Sequence, residues 1–451
     1  MDSSQRIVER FQLQLTPSWQ EWFDQPPKSG ALPGLMRELV SADELTSARP
    51  RPIWPGFMLP DTLPVLGNEY GDYVCVRVGE QDQLGELIYW YHGGGDWIPV
   101  GTTIAEAILH DAVDRFRDIR TQMIRGASES RIGQEASSLL SLDDPAMRDW
   151  FCRNLPQPHE GSTNDEGVTS IIHLLSEENY EAALREMLQR QWAKEAVACD
   201  LMELWLQRPL RTIASRDFAK ACGVAWFPDF VRLLFDIESG SKQARETIFL
   251  ESSKNGTVID EKAQDWHSAS ELAKQILRER KDLAWATVVQ GWNQERSGET
   301  QEAIATYQQG IEASSFTEQS VRLNSHAESD EYGKFALARL KRLESQFGIG
   351  ERIDGHDQYL ALLLGDHRRS ILQEVSAFWM QKATEAEAQG KNEIAYDHFY
   401  SSGWDMGVSR ISEYETILAG LARNAKQAGW NARAAVAELH LSCLQKTSTT
   451  I

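Results

Sequence analysis

The chain has 451 residues, enough for two or three domains, and 41% of them are hydrophobic, so it can bury packed cores and is not a disordered polymer. With 46 basic and 67 acidic side chains its formal net charge is −21. This charge argues against a general binder of nucleic acids or anionic membranes, because such surfaces are normally basic. A basic protein partner suits it better, although acidity spread along the whole chain is also typical of a role in solubility alone.

The five cysteines are far apart and form no C-x-x-C pair, so we expect buried side chains in a reducing compartment. The N-terminus has no cationic segment followed by an apolar one. The longest apolar runs fall far short of the roughly 20 residues that a membrane span needs. We therefore expect a cytoplasmic protein without a secretory signal or a membrane segment.

Proline divides the chain into two parts. Ten of the fifteen prolines lie in residues 1–100, and none lies in 229–451. Since proline breaks helix interiors, a long stretch without it that is rich in Ala, Glu, Gln and Leu predicts helices. The sequence thus predicts a mixed domain at 1–125, a linker at 126–169 that includes a short helix near 137–152, and an all-helical region at 170–451.

Two strands are predicted after a helical pattern from Ile7 to Phe23 and a proline-rich connection at 50–60. The run YVCVRV at 73–78 alternates, and LIYWYH at 87–92 is rich in residues that favour strands. The alternation assigns two different faces to the first strand, one with Val74, Val76 and Val78 and the other with Tyr73, Cys75 and Arg77.

The stretch YWYHGGGDW at 89–97 contains three consecutive glycines. A phosphate-binding loop would need a helix directly after the glycines, whereas here Asp96, Trp97 and a short strand WIPV follow. Glycine tolerates positive φ, so we interpret Gly93 to Asp96 as a hairpin turn. A helix is predicted after this third strand, capped by Thr102 or Thr103.

Sequence intervals in the second part repeat. Gly298 is followed by Ala303 and Tyr307 at plus five and plus nine, and Gly390 is followed by Ala395 and Phe399 at the same intervals. Gly429 and Ala434 repeat the first interval, and Tyr180 and Ala183 stand where a further second helix would begin. The pattern resembles the tetratricopeptide repeat, with its Leu-Gly pair missing. A regular solenoid and a compact helical domain both remain open.

Residues 59–110 carry three short motifs in a fixed order. A strand is entered through Gly71 and Asp72, the next strand ends in Trp90-x-His92, and a short strand then leads into a helix with Thr103, Ile104 and Ile108 at its start. This order resembles the SUKH superfamily, which contains the yeast cell-wall-assembly and killer-toxin-resistance regulator, and LTPSWQEWF at 15–23 is similar to the family's early helix. The sequence departs from the family in having Tyr91 where an acidic residue is frequent and Ile104 where Phe is usual.

The resemblance implies an α+β domain in which helices pack on one mixed sheet, used to bind proteins. Many bacterial members are similar to immunity proteins that neutralise toxins. Aromatic side chains dominate binding hot spots, and acidic ones could steer a basic toxin. The candidate partner-binding residues are Trp54, Tyr70, Asp72, Trp90, His92, Asp96 and Trp97. The alternative for the three tryptophans is a place in the core or at its boundary.

No catalytic or metal motif stands out. There is no H-E-x-x-H and no Cys/His cluster, GASES at 126–130 lacks the second glycine of a nucleophile elbow, and GIGERIDG at 348–355 lacks a preceding strand. We expect no cofactor and no enzymatic activity. The favoured hypothesis is an immunity-type factor that binds a toxin. The alternative is a regulatory scaffold that joins partners through the first domain and the helical region.

Overall fold

A computed structural model describes residues 2–124, 142, 144–157, 163–206, 215–226, 229–254, 264–317, 334–347, 358–365, 370–408 and 410–444. The strands are β1 Glu38–Leu39, β2 Thr62–Gly67, β3 Tyr73–Val78, β4 Leu84–Trp90 and β5 Trp97–Gly101. Within the described ranges the helices up to the middle of the chain are α1 Ser3–Phe11, α2 Pro17–Asp24, α3 Ala42–Thr46, α4 Ile104–Ile124, α5 Pro145–Asn154, α6 Asn164–Ser176, α7 Tyr180–Gln189, α8 Lys194–Trp205, α9 Arg216–Ala221, α10 Asp229–Phe235 and α11 Lys242–Lys254. The remaining ones are α12 Trp266–Leu277, α13 Ala284–Arg296, α14 Thr300–Ile311, α15 Phe335–Phe347, α16 Gln358–Leu364, α17 Ile371–Ala388, α18 Asn392–Trp404, α19 Tyr414–Ala428 and α20 Asn431–Leu444. The predicted order, an α+β part followed by an all-helical part, is confirmed.

The sheet has the order β1-β2-β3-β4-β5, and all four strand pairs are antiparallel. The expectation of a mixed sheet is therefore wrong for these strands. Short connections explain the difference, because antiparallel neighbours need only a turn whereas a parallel pair needs a long crossover. Tyr73 lies opposite Trp90 on one face and Val74 lies opposite Tyr89 on the other, so the two predicted faces of β3 extend across the sheet.

Helix α4 covers the face that carries Val74 and Val76. Tyr89 on this face donates a hydrogen bond from its hydroxyl to the carbonyl oxygen of Ala107 at 2.7 Å. Of the two predicted caps of α4, Thr102 and Thr103, the structure uses Thr103. Its hydroxyl accepts from the amide of Glu106 at 3.3 Å, and the Glu106 carboxylate accepts from the amide of Thr103 at 2.9 Å. We call this face of the sheet the near face, because α4, the helix that covers it, directly follows the last strand in sequence.

The predicted repeat intervals fall on helix hairpins. Gly298, Gly390 and Gly429 have φ of 82°, 69° and 84°, and they end helices α13, α17 and α19. At Gly298 the glycine amide donates to Glu295 at 3.1 Å and the next amide donates to Gln294 at 2.9 Å, the hydrogen-bond pattern that closes a helix end through a left-handed residue. The hairpin α6–α7 uses the same closure with Glu178 at φ 61°. The alanines five positions later are buried in all four hairpins: Ala183, Ala303, Ala395 and Ala434.

Two compact units make up the chain, Met1–Val197 with Val375–Ile451 and Ala198–Glu374. Helices α18–α20 thus belong to the same unit as the sheet, and the predicted boundaries at 125/126 and 169/170 do not coincide with this division. The predicted linker contains α5, whose Trp150 packs against Trp22 of α2 with ring centroids 6.4 Å apart. Half of the predicted linker, including GASES, and the whole GIGERIDG segment lie outside the described residues.

Candidate functional site

The turn between β2 and β3 presents Tyr70 to solvent. The side-chain oxygen of Asn68 accepts hydrogen bonds from the amides of Tyr70 and Asp72, both at 3.0 Å, and Gly71 adopts φ 88°. An asparagine that binds backbone two residues ahead is a common way to fix a turn. Tyr70 stands in this hydrogen-bonded turn with 57% of its surface exposed.

His92 joins this turn to the end of β4. Its ring nitrogen Nδ1 lies 2.8 Å from Oδ1 of Asp72, and its backbone amide donates to the same oxygen at 3.1 Å. The side chains of His92 and Asp72 are 45% and 20% exposed. The pair therefore fixes the position of Tyr70 relative to the β4 end and still leaves the imidazole edge accessible.

The glycine stretch is a hairpin turn, as predicted. The amide of Tyr91 donates to the carbonyl of Asp96 and the amide of Gly95 to the carbonyl of Tyr91, both at 2.9 Å. Only Gly95 has positive φ, at 75°, whereas Gly93 and Gly94 have open space around them. Asp96 is 9% exposed, and its side chain accepts from the amide of Trp97 at 3.2 Å, so it helps to end the turn.

The tryptophans separate into one exposed and two buried residues. Trp90 is 1% exposed and donates from its indole to the carbonyl of Phe57 at 3.0 Å. Trp97 is 4% exposed and lies beneath the guanidinium of Arg77, 5.8 Å from its ring centroid. Trp54 is 42% exposed and packs its ring 5.9 Å from that of Trp90. For Trp90 and Trp97 the core alternative thus describes their position.

Four of the seven candidate residues remain accessible together. The ring of Trp54 packs against that of Trp90, and His92 lies two residues after Trp90. His92 in turn forms a hydrogen bond with Asp72, which lies beside Tyr70 in the turn. We call Trp54, Tyr70, Asp72 and His92 the aromatic rim of the sheet. Trp90, Asp96 and Trp97 are buried behind it and support it.

Side chains from the C-terminal helices reach the second face of the sheet, which we call the far face. Arg77 on β3 donates to Oδ2 of Asp61 at 3.1 Å through Nε and at 2.8 Å through Nη2. The hydroxyl of Tyr400 on α18 lies 3.5 Å from Oδ1 of Asp61 and 3.5 Å from Arg77. A charged pair that is largely removed from water is thus completed by a residue more than 300 positions away.

Helix α20 adds three polar contacts to the same side. The guanidinium of Arg433 donates to the carbonyl of Val78 at 2.9 Å, and the amide of Ala432 donates to the carboxylate of Asp82 at 2.8 Å. His440 Nε2 lies 3.3 Å from the carbonyl of Thr62. These contacts anchor α20 along the sheet.

Burial changes the titration of the groups on the far face. It lowers the pKa of His440 to about 4 and raises the pKa of Tyr400 well above its ordinary value, the latter assisted by the nearby Asp61 carboxylate. Within the described part of the chain, His440 Nδ1 and the Tyr396 hydroxyl are buried without a hydrogen-bond partner. The contact on the far face therefore buries polar groups, and burying those that lack a hydrogen-bond partner costs free energy of folding.

Sequence reasoning missed the residues that cover the far face. One signal was present: Arg77 lies on a strand face otherwise formed by Tyr73 and Cys75, and a charge in such a place needs a partner. No local sequence pattern identifies Asp61 and Tyr400 as the partners of Arg77.

The unit Ala198–Glu374 contains an open cleft of about 380 Å³ lined by residues of α13 and of the turn after α10. Buried Asp236 accepts from the indole of Trp292 at 2.9 Å and from Arg296 at 3.1 Å. Glu238 pairs with Arg296, and Glu295 pairs with Arg339. The charges of this cleft are thus paired with one another.

Over the residues that the structure describes, no group of three His, Cys, Asp or Glu side chains is arranged to hold a metal ion. In the same residues no helix combines the length and the apolar character that crossing a bilayer requires. No family model matches the chain, and no curated protein and no solved structure matches it significantly.

Proposed function

We propose that this protein acts by binding another protein through the aromatic rim, as an immunity-type factor that neutralises a toxin. The observation that carries the proposal is the exposure of Tyr70 and Trp54, at 57% and 42%, beside the accessible edge of His92. Neighbouring exposed apolar side chains mark interaction sites, whereas isolated ones are common, and tyrosine and tryptophan are among the residues most enriched at binding hot spots.

Hydrogen bonds within the chain already hold the turn of the rim and the position of His92. Asn68 holds the turn of Tyr70, and the hydrogen bonds of Asp72 to His92 hold that turn against β4. Binding then immobilises few additional torsions, so less of the interaction free energy is lost to ordering. Such preorganisation suits tight and specific recognition.

Charge favours a basic partner. Glu69 and Asp72 lie next to Tyr70 in the turn, and the whole chain carries a formal charge of −21. An acidic surface accelerates encounter with a basic protein and weakens as salt is added. The resemblance of residues 59–110 to SUKH domains supports a toxin as that partner.

The test is capture of proteins from lysate of the native organism on the full chain and on three variants, Tyr70→Ala, Trp54→Ala and Leu250→Ala. Leu250 is the matched control because it is also 57% exposed but lies far from the rim in sequence. We expect one basic protein bound by the native chain and by Leu250→Ala. Each rim variant should bind it at least about 30-fold more weakly, the effect of losing a hot spot of roughly 2 kcal/mol.

A toxicity assay separates immunity from binding alone. Cells that express the captured protein should be protected by the native chain and by Leu250→Ala, and poorly by Tyr70→Ala. Capture that all three variants share equally, or a captured protein that harms no cells, would count against the proposal.

The second candidate is a regulatory scaffold. The specific observation in its favour is the cleft in the unit Ala198–Glu374, which is separate in residues from the aromatic rim. A scaffold predicts several captured proteins, some of which persist in Tyr70→Ala and are lost when the rim of the cleft is changed by Ser239→Arg. An immunity factor predicts that Ser239→Arg has no effect on toxin binding.

A further inference from the structure

A small cleft lies between α2, the start of α4 and α5. Its apolar lining includes Trp19, Trp22 and Trp150, which are 6%, 5% and 8% exposed. The rings of Trp22 and Trp150 are inclined at 49° to each other with centroids 6.4 Å apart. Three indoles from two helices that are more than 120 residues apart therefore converge on one opening.

The size of the cleft limits what can enter it. Its volume is about 40 Å³, several times the space one water molecule needs and far below the roughly 300 Å³ of an ordinary small-molecule pocket. A nucleotide or an aromatic side chain does not fit. One compact head group at the end of a thin stem does.

The charge at the opening of this cleft determines whether the head group should be positive or negative. Glu21 lines the cleft, and its side chain is 43% exposed. Its ion-pair partner among the described residues is Arg153 at 3.8 Å, itself 62% exposed, and an exposed pair at this distance is weak. The Glu21 carboxylate is therefore available to a stronger cation.

The start of α4 does not reverse this preference. A helix N-terminus attracts anions, but Glu106 already accepts hydrogen bonds from the amides of Thr102 and Thr103, both at 2.9 Å. Glu106 is only 2% exposed, so its negative charge stays beside the helix end. The cleft thus combines indole rings, whose faces attract cations, with an accessible carboxylate.

We infer that this cleft binds the ammonium group of a lysine side chain from a basic partner protein. Lysine fits because its charge is compact and its four-carbon stem is thin, whereas the planar guanidinium of arginine is broader. The stem packs on indole surface, the ammonium lies against the rings, and Glu21 exchanges Arg153 for it. This site is separate from the aromatic rim, so its failure would leave the proposed function standing.

The experiment is ¹⁹F nuclear magnetic resonance of the full chain labelled with 5-fluorotryptophan. The signals of Trp19, Trp22 and Trp150 are assigned with single Trp→Phe variants. The probe is N-acetyl-lysine methylamide, titrated to tens of millimolar at constant ionic strength, and the uncharged control is N-acetyl-norleucine methylamide. We expect saturable shifts of Trp22 and Trp150 with the lysine probe alone.

Two charge variants sharpen the result. Glu21→Gln should weaken binding of the lysine probe by about twofold to fivefold, the range expected for an exposed charge contact. Arg153→Ala should strengthen it because the competing cation is gone. The matched control is Glu9→Gln, an exposed carboxylate on α1 outside the cleft, which should leave the affinity unchanged.

Three outcomes would overturn the inference. They are the absence of saturable shifts, equal shifts with the norleucine control, or an affinity that neither Glu21→Gln nor Arg153→Ala alters. Shifts produced by sodium sulfate but not by the lysine probe would instead assign the cleft to anions at the start of α4.

Discussion

The two faces of the sheet have covers of different origin. The near face packs against α4, which begins three residues after β5, and its contacts, such as Tyr89 to Ala107, join residues close in sequence. The far face receives Tyr400, Arg433 and His440 from helices more than 300 residues away. The near cover is local in sequence, whereas the far cover comes from distant helices and brings polar side chains to the sheet, so the two should respond differently to truncation, charge removal and pH.

The largest expected effect comes from removing the far cover. The sequence predicts a mixed domain at 1–125, but a fragment of these residues lacks the α18–α20 side chains that reach the face of Cys75. In the full chain Cys75 is fully buried, and burial raises the pKa of its thiol, so it should be inert to thiol reagents. We expect a folded fragment by circular dichroism whose Cys75 reacts with 5,5′-dithiobis(2-nitrobenzoic acid).

Adding residues 371–451 in trans should restore the protection of Cys75. A fragment that is unfolded would show that residues 1–125 are not independent. A folded fragment with unreactive Cys75 would show that α18–α20 do not cover this thiol.

Charge removal on the far face should have the next largest effect. Arg77→Met leaves Asp61, which is 2% exposed, without its cation, and breaking a buried pair in this way costs roughly 3 to 5 kcal/mol. Native-state hydrogen exchange of the β2 and β3 amides measures this loss locally. The control Arg185→Met breaks an exposed pair with Glu181 and should cost at most about 1 kcal/mol.

The double variant Arg77→Met with Asp61→Asn should recover part of the loss, since no buried charge then remains. Equal destabilisation by Arg77→Met and Arg185→Met would contradict the polar character of the far cover.

The two covers should depend on pH with opposite sign. Burial lowers the pKa of His440 from 6.5 to about 4, so its contribution of about 3 kcal/mol is present above pH 6.5 and is lost as pH falls towards 4. On the near side, burial raises the pKa of Asp111 from 3.8 to about 7, so the stability it contributes is present below pH 3.8 and is lost as pH rises towards 7.

Hydrogen exchange of the sheet amides between pH 4 and 7 separates these effects. His440→Gln should flatten the loss of protection on acidification. Asp111→Asn keeps an acceptor for the amides of Leu35 and Met36. It should make the loss of protection on acidification steeper, because the stabilisation that Asp111 gains on protonation is then absent. Identical pH profiles for both variants and the native chain would refute these assignments.

The smallest effect concerns a purely local feature. Glu178 adopts φ 61° at a hairpin position that glycine occupies in three other hairpins, and a left-handed conformation costs a residue with a side chain roughly 1 kcal/mol. Glu178→Gly should therefore stabilise the α6–α7 hairpin by up to about 1 kcal/mol, measured by hydrogen exchange of its amides. Glu177→Gly, one residue earlier at φ −86°, is the control and should not stabilise.

Local patterns in the sequence were sufficient for the β-hairpin at Gly93 to Asp96, for a cap at Thr102 or Thr103 and for the glycine-ended helix hairpins. Each depends on a few neighbouring residues whose backbone preferences agree. The aromatic rim was partly predictable, because Gly71, Asp72 and His92 stand in an order that the sequence shows. Which of the candidate residues are exposed was not predictable, and Trp90 and Trp97 proved to be buried.

The sequence by itself determined the strands β3 to β5, the helical character of the second part and the two faces of β3, because φ preferences and periodicity act over a few residues, whereas β1 and β2 were not predicted. Only the tertiary structure decided what covers each face. The contacts of Asp61 with Tyr400 and of Thr62 with His440 join residues 339 and 378 positions apart. Such pairs depend on how whole helices pack, and neither residue of a pair indicates the other along the chain.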